Sequence, residues 1–173
     1  LPEGDYRHLV EMKHRPMTTY RQEGDLLYSL EHLQQEFPEY GATDFRHPAL
    51  ELSFENGSRL TDFIYKDHVI LKGKPRLEGL PATYVENEDE CQTLQVNLID
   101  LVSGVEVSIQ YSIFRDFPVI TRSHLINNQG SRPLSIEGVT SLSLDLPDRN
   151  YEMIQLSGAW ARERHIHSTL LHQ

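Results

Sequence analysis

In Val105-Glu106-Val107-Ser108-Ile109-Gln110-Tyr111-Ser112-Ile113, apolar and polar residues alternate without a break. Successive side chains of a β-strand point to opposite faces, so this stretch offers one apolar face to a core and one polar face to water. The run from Leu94 to Ile99 has a similar alternation, and Asp100 to Gly104 between the two runs suits a reversing turn. Together they predict an antiparallel hairpin in the middle of the chain.

Further strands are predicted on either side of this hairpin. Leu50, Leu52 and Phe54 alternate with polar residues. Asn56-Gly57 comes next, and this dipeptide favours the type I′ turn that joins two antiparallel strands. We therefore expect the first strand to pair with the β-rich run from Leu60 to Leu71, which follows the turn. Three more stretches have strand composition, namely Val119 to Ile126, Leu134 to Leu146 and Tyr151 to Leu156.

One earlier segment fits two structures. Leu27, Leu30, Leu33 and Phe37 recur at helical spacing, whereas the run from Leu26 to Leu30 is equally consistent with a strand. A strand is favoured there because the surrounding segments are strands. Many short strands joined by turns, without alternating helices, predict an all-β fold, an antiparallel β-sandwich. Residues 1–173 contain no interdomain linker and are expected to form one domain.

The composition excludes several kinds of partner. The chain has 16 Lys and Arg against 26 Asp and Glu, a formal net charge of -10, so no nucleic acid is expected as a partner. No stretch approaches the roughly 20 apolar residues of a membrane helix, so no membrane is expected either. The single cysteine, Cys91, cannot form an internal disulfide, which indicates a cytoplasmic location. The acidic run from Glu86 to Glu90 is interpreted as a solvated loop.

Metal and nucleotide sites have little support in the sequence. His165 and His167 would share one face of a strand, but without a recognisable third ligand they are interpreted as surface residues. No Gly-x-Ser-x-Gly elbow exposes a serine, and no phosphate-cradling loop occurs. We therefore expect neither a metal nor a cofactor. Glycoside hydrolysis needs only two opposed carboxylates, but no pair can be singled out from 26 acidic residues.

A cluster near residue 40 has the residue types of a sugar site. Aromatic faces stack on pyranose rings and planar polar groups bind vicinal hydroxyls, and Tyr40, Asp44, Phe45 and Arg46 supply both. The alternative is a structural corner, with Arg46 paired to Asp44 and Phe45 in the core. Trp160, which has charged residues close by, is interpreted as a buried anchor with flanking ion pairs rather than as a sugar platform.

Four blocks of this sequence occur together and in order. They are Phe37-Pro38-Glu39-Tyr40-Gly41 running into Asp44-Phe45-Arg46 and Pro48-Ala49, then Gly73-Lys74-Pro75 followed by Gly79-Leu80-Pro81-Ala82-Thr83-Tyr84, then Ser143-Leu144-Asp145-Leu146-Pro147, and last Leu156-Ser157-Gly158-Ala159-Trp160-Ala161-Arg162-Glu163-Arg164-His165. These blocks resemble segments of the family 36 glycoside hydrolases, which are α-galactosidases. The resemblance spans nearly the whole chain from about Asp5.

The resemblance implies a place for the chain in a larger protein. In that family a large N-terminal β-supersandwich precedes a catalytic (β/α)8 barrel and a C-terminal β-domain, so this chain would be part of the first domain, with its last strands missing. Family members are retaining hydrolases that release terminal α-linked galactose from sugars such as melibiose and raffinose. Their catalytic aspartates lie on the barrel. The chain is therefore predicted to be a non-catalytic accessory and assembly domain of an α-galactosidase.

The same resemblance implies a role for one loop. A loop of this domain approaches the sugar in the family, and Asp44, Phe45 and Arg46 are the residues that would carry the role here. Asp44 would accept hydrogen bonds from galactose hydroxyls, Arg46 would hold Asp44 or the sugar, and Phe45 would anchor the loop. The family also implies a homo-oligomer, a tetramer.

The role of accessory domain has two alternatives. An independent carbohydrate-binding module would share the sandwich but have a sugar site of its own. A self-contained enzyme is disfavoured, because no coherent nucleophile and base are recognisable in the sequence.

Overall fold

The structure, a computed structural model, describes residues 34–40, 46–79, 81–147 and 149–171. The segment predicted as a strand from Leu26 to Leu30 lies outside these ranges. Within them the chain forms eight β-strands and a 3₁₀ turn at Glu88–Glu90, so the all-β prediction is confirmed. No helix of the described residues is long and apolar enough to cross a membrane. The strands are β1 (Leu50–Phe54), β2 (Phe63–Lys72), β3 (Cys91–Asp100), β4 (Val105–Phe114), β5 (Ile120–Asn128), β6 (Leu134–Val139), β7 (Glu152–Ala159) and β8 (Arg162–Leu170).

The central hairpin predicted from the alternating runs is confirmed. Strands β3 and β4 pair antiparallel, with Leu98 opposite Val107. The turn between them is held by Asp100, whose Oδ1 accepts hydrogen bonds from Val102 N at 2.8 Å and Ser103 N at 3.2 Å. Strands β2 and β5 lie on either side of this pair. The result is a four-stranded sheet in the order β2-β3-β4-β5.

The hairpin predicted at Asn56-Gly57 is wrong, although the turn itself forms. Gly57 has a φ of 79°, and Phe54 N donates to Ser58 O at 3.0 Å. Strand β1 nevertheless pairs with β6 in a separate two-stranded sheet, while β2 pairs with β3. After Ser58 the chain crosses from one sheet to the other, and Thr61 N donates to Tyr40 O at 3.0 Å on the way. A turn dipeptide specifies only the local backbone geometry. The strand with which β1 pairs depends on where its apolar side chains are buried.

The core lies between these two sheets. Leu50 and Leu52 of β1 pack with Val105, Val107 and Ile109 of β4, and none of the five is more than 2% exposed. These three β4 residues belong to the apolar face that the alternating pattern of residues 105–113 predicts. Two sheets that face each other across an apolar core form a β-sandwich, so the predicted architecture is confirmed.

The strands towards the C-terminal end differ from the prediction. Strand β6 ends at Val139 rather than Leu146, and directly beyond it Thr140 N donates to Ala49 O at 2.9 Å. Strands β7 and β8 form a two-stranded sheet of their own, and all of their residues are exposed. Trp160 lies in the turn between them and is 94% exposed, so the prediction of a buried anchor is wrong. Burial depends on what packs over a residue, and nothing among the described residues covers this turn.

One smaller prediction, that of a solvated acidic run, is confirmed. Cys91 is a buried residue with a free thiol. The acidic run from Glu86 to Glu90 lies mostly exposed at the surface and includes the 3₁₀ turn, none of whose residues is buried.

Truncation of Leu52 tests the position of the core. Leu52 is 0% exposed, so Leu52→Ala should leave a cavity between the sheets and lower the free energy of unfolding by about 2–5 kcal/mol. Urea unfolding followed by circular dichroism measures this change. Leu101→Ala is the matched control, since Leu101 is 72% exposed in the turn after β3 and its truncation should change stability by less than about 0.5 kcal/mol. Equal losses in the two variants would contradict the packing of β1 on β4.

Candidate functional site

The candidate sugar loop lies only partly within the described structure. Asp44 and Phe45 fall in residues 41–45, outside the described residues, whereas Arg46 is described. The structure therefore shows the two segments that flank this loop, residues 34–40 before it and 46–49 after it, which we call the loop flanks. The base of the loop is closed by a backbone hydrogen bond from Ala49 N to Pro38 O at 2.8 Å. Pro38 and Pro48 are fully buried, so both flanks are packed into the protein.

Asp145 binds both loop flanks. Its Oδ2 accepts a hydrogen bond from Gln35 N at 2.9 Å and forms an ion pair with Arg46 Nη1. Its backbone carbonyl accepts from Gln34 Nε2 at 3.0 Å. The side chains of Arg46 and Asp145 are only 26% and 28% exposed, which strengthens the pair relative to one at the open surface. Arg46 is thus placed at the loop with a partner 99 residues away in sequence.

Glu36 ties the first flank to the four-stranded sheet. Arg122 Nη2 lies 3.1 Å from Glu36 Oε1 and also donates to Glu36 O at 3.2 Å. Tyr111 donates its hydroxyl hydrogen to the same carboxylate. Burial, with this hydrogen bond to Glu36 as a second cause, raises the pKa of Tyr111 to about 12. Arg122 Nη1 donates to Ser141 O at 2.8 Å, so the same guanidinium also holds the segment that leads to Asp145.

Phe37 fixes the first flank by aromatic packing. Its ring meets Phe63 edge to face at a centroid distance of 5.9 Å and His124 at 5.6 Å. Burial, with the Arg122 charge as a lesser cause, lowers the pKa of His124 to about 4, so the imidazole is neutral near pH 7. The His124 Nε2 atom finds no hydrogen-bond partner among the described residues. His124 therefore serves here as a neutral aromatic ring that packs against Phe37.

Glu39 is a buried carboxyl at the end of the first flank. Its Oε1 and Oε2 accept from Phe63 N at 3.0 and 3.1 Å. Burial raises the pKa of Glu39 to about 7, and hydrogen bonds from Thr61 and Phe63 only partly oppose this shift. A raised carboxyl pKa is typical of functional sites. In Glu39, however, both oxygens face the start of β2, which favours a structural role that joins the flank to the sheet.

Sequence reasoning missed most of this support. The sequence predicts Arg46 as a site residue. Its partner Asp145 belongs to the Ser143-Leu144-Asp145-Leu146-Pro147 block, but no pattern in the sequence assigns a role to it or to Glu36, Glu39 and Arg122. The available signal is that the block containing Arg46 and the block containing Asp145 occur in one chain. Their joint occurrence indicates that the two segments belong to one structure. No spacing rule connects them, because the contacts run between distant segments.

The described residues contain no cluster with the composition of a metal site. His165 and His167 lie exposed on β8, and no group of three or more His, Cys, Asp or Glu side chains in the described ranges could hold a metal ion. The contacts around Asp145 and Phe37 instead join the two loop flanks to other parts of the chain. They are charged hydrogen bonds at Asp145 and aromatic packing at Phe37.

The chain is similar to known proteins over most of its length. Residues 6–173 match the model of the glycosyl hydrolase family 36 N-terminal domain. Alpha-galactosidase AgaA of Geobacillus stearothermophilus is 51% identical over 142 residues, which are 82% of this chain and 20% of that protein. The chain thus spans about a fifth of the length of the curated relatives that it matches.

Solved structures share the fold. A crystal structure of an AgaA variant in complex with raffinose matches with a TM-score of 0.87 and 43% identity, covering 99% of this chain and 24% of that one. The α-galactosidase from Lactobacillus brevis matches with a TM-score of 0.87 and 35% identity, covering 99% of this chain and 23% of that one.

The raised pKa of Glu39 makes stability depend on pH. Its pKa is about 7 in the folded chain against an ordinary value of 4.5, so the folded state binds the extra proton between these pH values. The stabilisation is fully present below pH 4.5 and is lost as pH rises through 7. The unfolding free energy of the wild type relative to Glu39→Gln, which cannot titrate, should therefore fall by about 2 kcal/mol over this window, after allowance for solvent screening.

Chemical denaturation of both proteins at a series of pH values measures this difference. His124 titrates in both, so its opposite effect cancels in the comparison. A relative stability that is flat or rises with pH would show that Glu39 is not held in its protonated form.

Proposed function

Because the chain belongs to the glycosyl hydrolase family 36 N-terminal domain family, we propose that it is the accessory domain of a longer α-galactosidase. The observation that carries this proposal is the match over 99% of the chain, at 43% identity, to an AgaA variant crystallised with raffinose. The identity of 51% to AgaA over 142 residues supports it further. The proposed activity is hydrolysis of terminal α-linked galactose from oligosaccharides.

The chemistry of such a reaction explains why the chain is proposed as non-catalytic. A retaining glycosidase needs two carboxyl groups about 5 Å apart on opposite sides of the glycosidic bond, one as nucleophile and one as acid and base. The carboxyl groups around the candidate loop are instead occupied with protein groups, since Glu39 accepts from Phe63 N, and Asp145 from Gln35 N and Arg46. The proposal places the reacting carboxylates on a barrel domain outside residues 1–173.

The contribution proposed for this domain is one wall of the sugar pocket. Asp44 accepts hydrogen bonds from galactose hydroxyls, Arg46 holds the loop, and Phe45 anchors it. The packed loop flanks support this role, because a loop that binds sugar loses less entropy when its ends are already fixed.

Assembly into a homo-oligomer and a cytoplasmic location belong to the same proposal. Exposed apolar side chains, such as Leu156 and Ile166 on the β7–β8 hairpin, support burial of that hairpin against other protein.

The isolated chain should not hydrolyse an aryl α-galactoside, whereas the full-length protein that contains it should. Purified residues 1–173 and the full-length protein are assayed side by side with p-nitrophenyl α-galactoside. Turnover by the isolated chain above background, abolished by substitution of one of its carboxylates, would overturn the non-catalytic role.

Isothermal titration of the isolated chain with galactose and melibiose tests the alternative function, an independent carbohydrate-binding module. Millimolar or tighter binding would indicate such a module.

Asp44→Ala in the full-length protein should lower kcat/KM by about tenfold to a hundredfold, mainly through a raised KM. The size follows from the loss of a charged hydrogen bond, about 1.5–3 kcal/mol, that is equally strong in the ground state and the transition state. Kinetics and melting temperature are measured on the same preparation. Asp116→Ala is the control, because Asp116 is an exposed carboxylate paired with Arg115, outside the loop and its flanks. A normal KM with a depressed melting temperature for Asp44→Ala would assign Asp44 to a structural corner.

A further inference from the structure

The β7–β8 hairpin presents a tryptophan to solvent. Trp160 lies in the turn and is 94% exposed, and every residue of the two strands is exposed as well. A two-stranded hairpin on its own is at best marginally stable in water, so this hairpin needs a surface to pack against. Residues 160–164, which we call the hairpin tip, carry the most exposed aromatic side chain of the described structure and are the part to be tested for contact.

The backbone of the hairpin tip has an uncommon conformation. Ala161 and Arg164 have φ values of 64° and 60°, in the left-handed region that residues other than glycine seldom adopt. The strand register shifts at Gly158, where a Cβ atom would lie only 2.6 Å from Arg162 O. Such bulges redirect side chains, and residues with left-handed backbone cluster at functional positions. The backbone at the tip therefore indicates a turn that serves a contact.

The hairpin tip also carries positive charge without a counterion. Neither Arg162 nor Arg164 forms an ion pair with any described residue. The carboxylate between them, Glu163, instead accepts a hydrogen bond from Ala161 N at 3.1 Å. Tryptophan and arginine are the side chains that most often dominate the energy of protein interfaces, and the tip combines both types.

A groove elsewhere on the same chain has a complementary composition. It lies between residues 81–90 and the β4–β5 turn and has a volume of about 1010 Å³, large enough to admit an indole ring. Tyr84, Phe117 and Val119 line it, and they are 76%, 67% and 43% exposed. The walls therefore offer aromatic and aliphatic surface that no described residue covers.

Negative charge surrounds this groove, which we call the acidic groove. Glu86 and Glu90 line it, and Glu88 lies between them in the exposed acidic run. The basic residue of the wall, Arg115, is already paired with two aspartates. Glu86 and Glu88, by contrast, form no ion pair within the described ranges. The acidic groove thus has uncompensated carboxylates, where the hairpin tip has uncompensated guanidinium groups.

We propose that the hairpin tip of one copy of this chain binds the acidic groove of a second copy, with Trp160 between the aromatic walls. Arg162 and Arg164 then face Glu86 and Glu88. The occupant is a second copy because both complementary surfaces belong to this chain, and the exposed tip is not seated in its own groove. Two copies related by a two-fold axis make this contact twice, which closes the assembly. This inference rests on the homo-oligomer of the proposed function and names the surfaces that form it.

Photocrosslinking locates the contact directly. The photoreactive amino acid p-benzoylphenylalanine replaces Trp160 in the full-length protein, and irradiation should give a covalent species of twice the subunit mass. Mass spectrometry should map the attachment to residues 81–90 or 114–119 of the second copy. The control position is Val102, which is 96% exposed in the turn after β3 and should give no attachment to the acidic groove. Attachment only within the same subunit, or only outside the acidic groove, would overturn the inference.

Charge reversal tests the pairing of the two surfaces in the full-length protein. The tip variant is Arg162→Glu/Arg164→Glu, and the groove variant is Glu86→Arg/Glu88→Arg. Each variant places like charges opposite each other when it associates with itself. The subunit dissociation constant, measured by sedimentation velocity, should therefore rise by about thirtyfold or more in each.

Mixing the two variants separates a contact between copies from one within a copy. In a mixed pair both contacts regain opposite charges, so association close to that of the wild type should return in mixed assemblies alone. A dissociation constant unchanged in both variants would overturn the inference. Weakened association that does not recover on mixing would overturn it as well, because the tip and the groove would then not meet across two copies.

Failure of this inference and failure of the proposed activity give different results. A full-length protein that hydrolyses α-galactosides but sediments as a monomer at every concentration would overturn the contact and leave the hydrolytic function standing. An oligomer with the mapped contact but without activity on any α-galactoside would instead overturn the proposed activity and leave the contact standing.

Discussion

The rest of the structure depends on the need to cover the apolar face of β4. Val105, Val107 and Ile109 are all buried, and Leu50 and Leu52 of β1 provide part of the cover. This requirement places β1 in the sheet opposite β4, where it pairs with β6. The pairing brings the end of β6 beside Ala49, and the segment after it carries Asp145 to the loop flanks. The position of the candidate site is thus a consequence of how the core closes.

Electrostatics at the loop flanks complement this packing. Three carboxyl groups hold the flanks: Glu36 binds Arg122 and Tyr111, Glu39 binds Phe63 N, and Asp145 binds Arg46 and Gln35 N. Burial makes such contacts stronger and also makes an unpaired group costly. The contacts of the loop flanks are of this satisfied kind, so they fix the positions of the two flanks.

The parts of the fold that could be predicted from sequence are those encoded locally. The β3–β4 hairpin follows from the alternation of residues 94–113, because strand period and turn composition lie within one continuous stretch. The β1–β6 pairing joins Leu50 to Val139. No local pattern indicates such a distant partner, so the turn at Gly57 predicts a hairpin that does not form. The same limit applies to the site. Resemblance to a family indicated Arg46, but its contact with Asp145 arises only from folding, and the exposure of Trp160 depends on which segments pack beside it.

A crystal structure of the full-length protein with bound galactose would test most directly whether this domain supplies a wall of the sugar pocket. The expected result is a carboxylate oxygen of Asp44 within about 3 Å of a galactose hydroxyl, with the Arg46–Asp145 pair intact. A bound galactose with no atom of residues 41–46 within about 4 Å would contradict the proposed role of the loop.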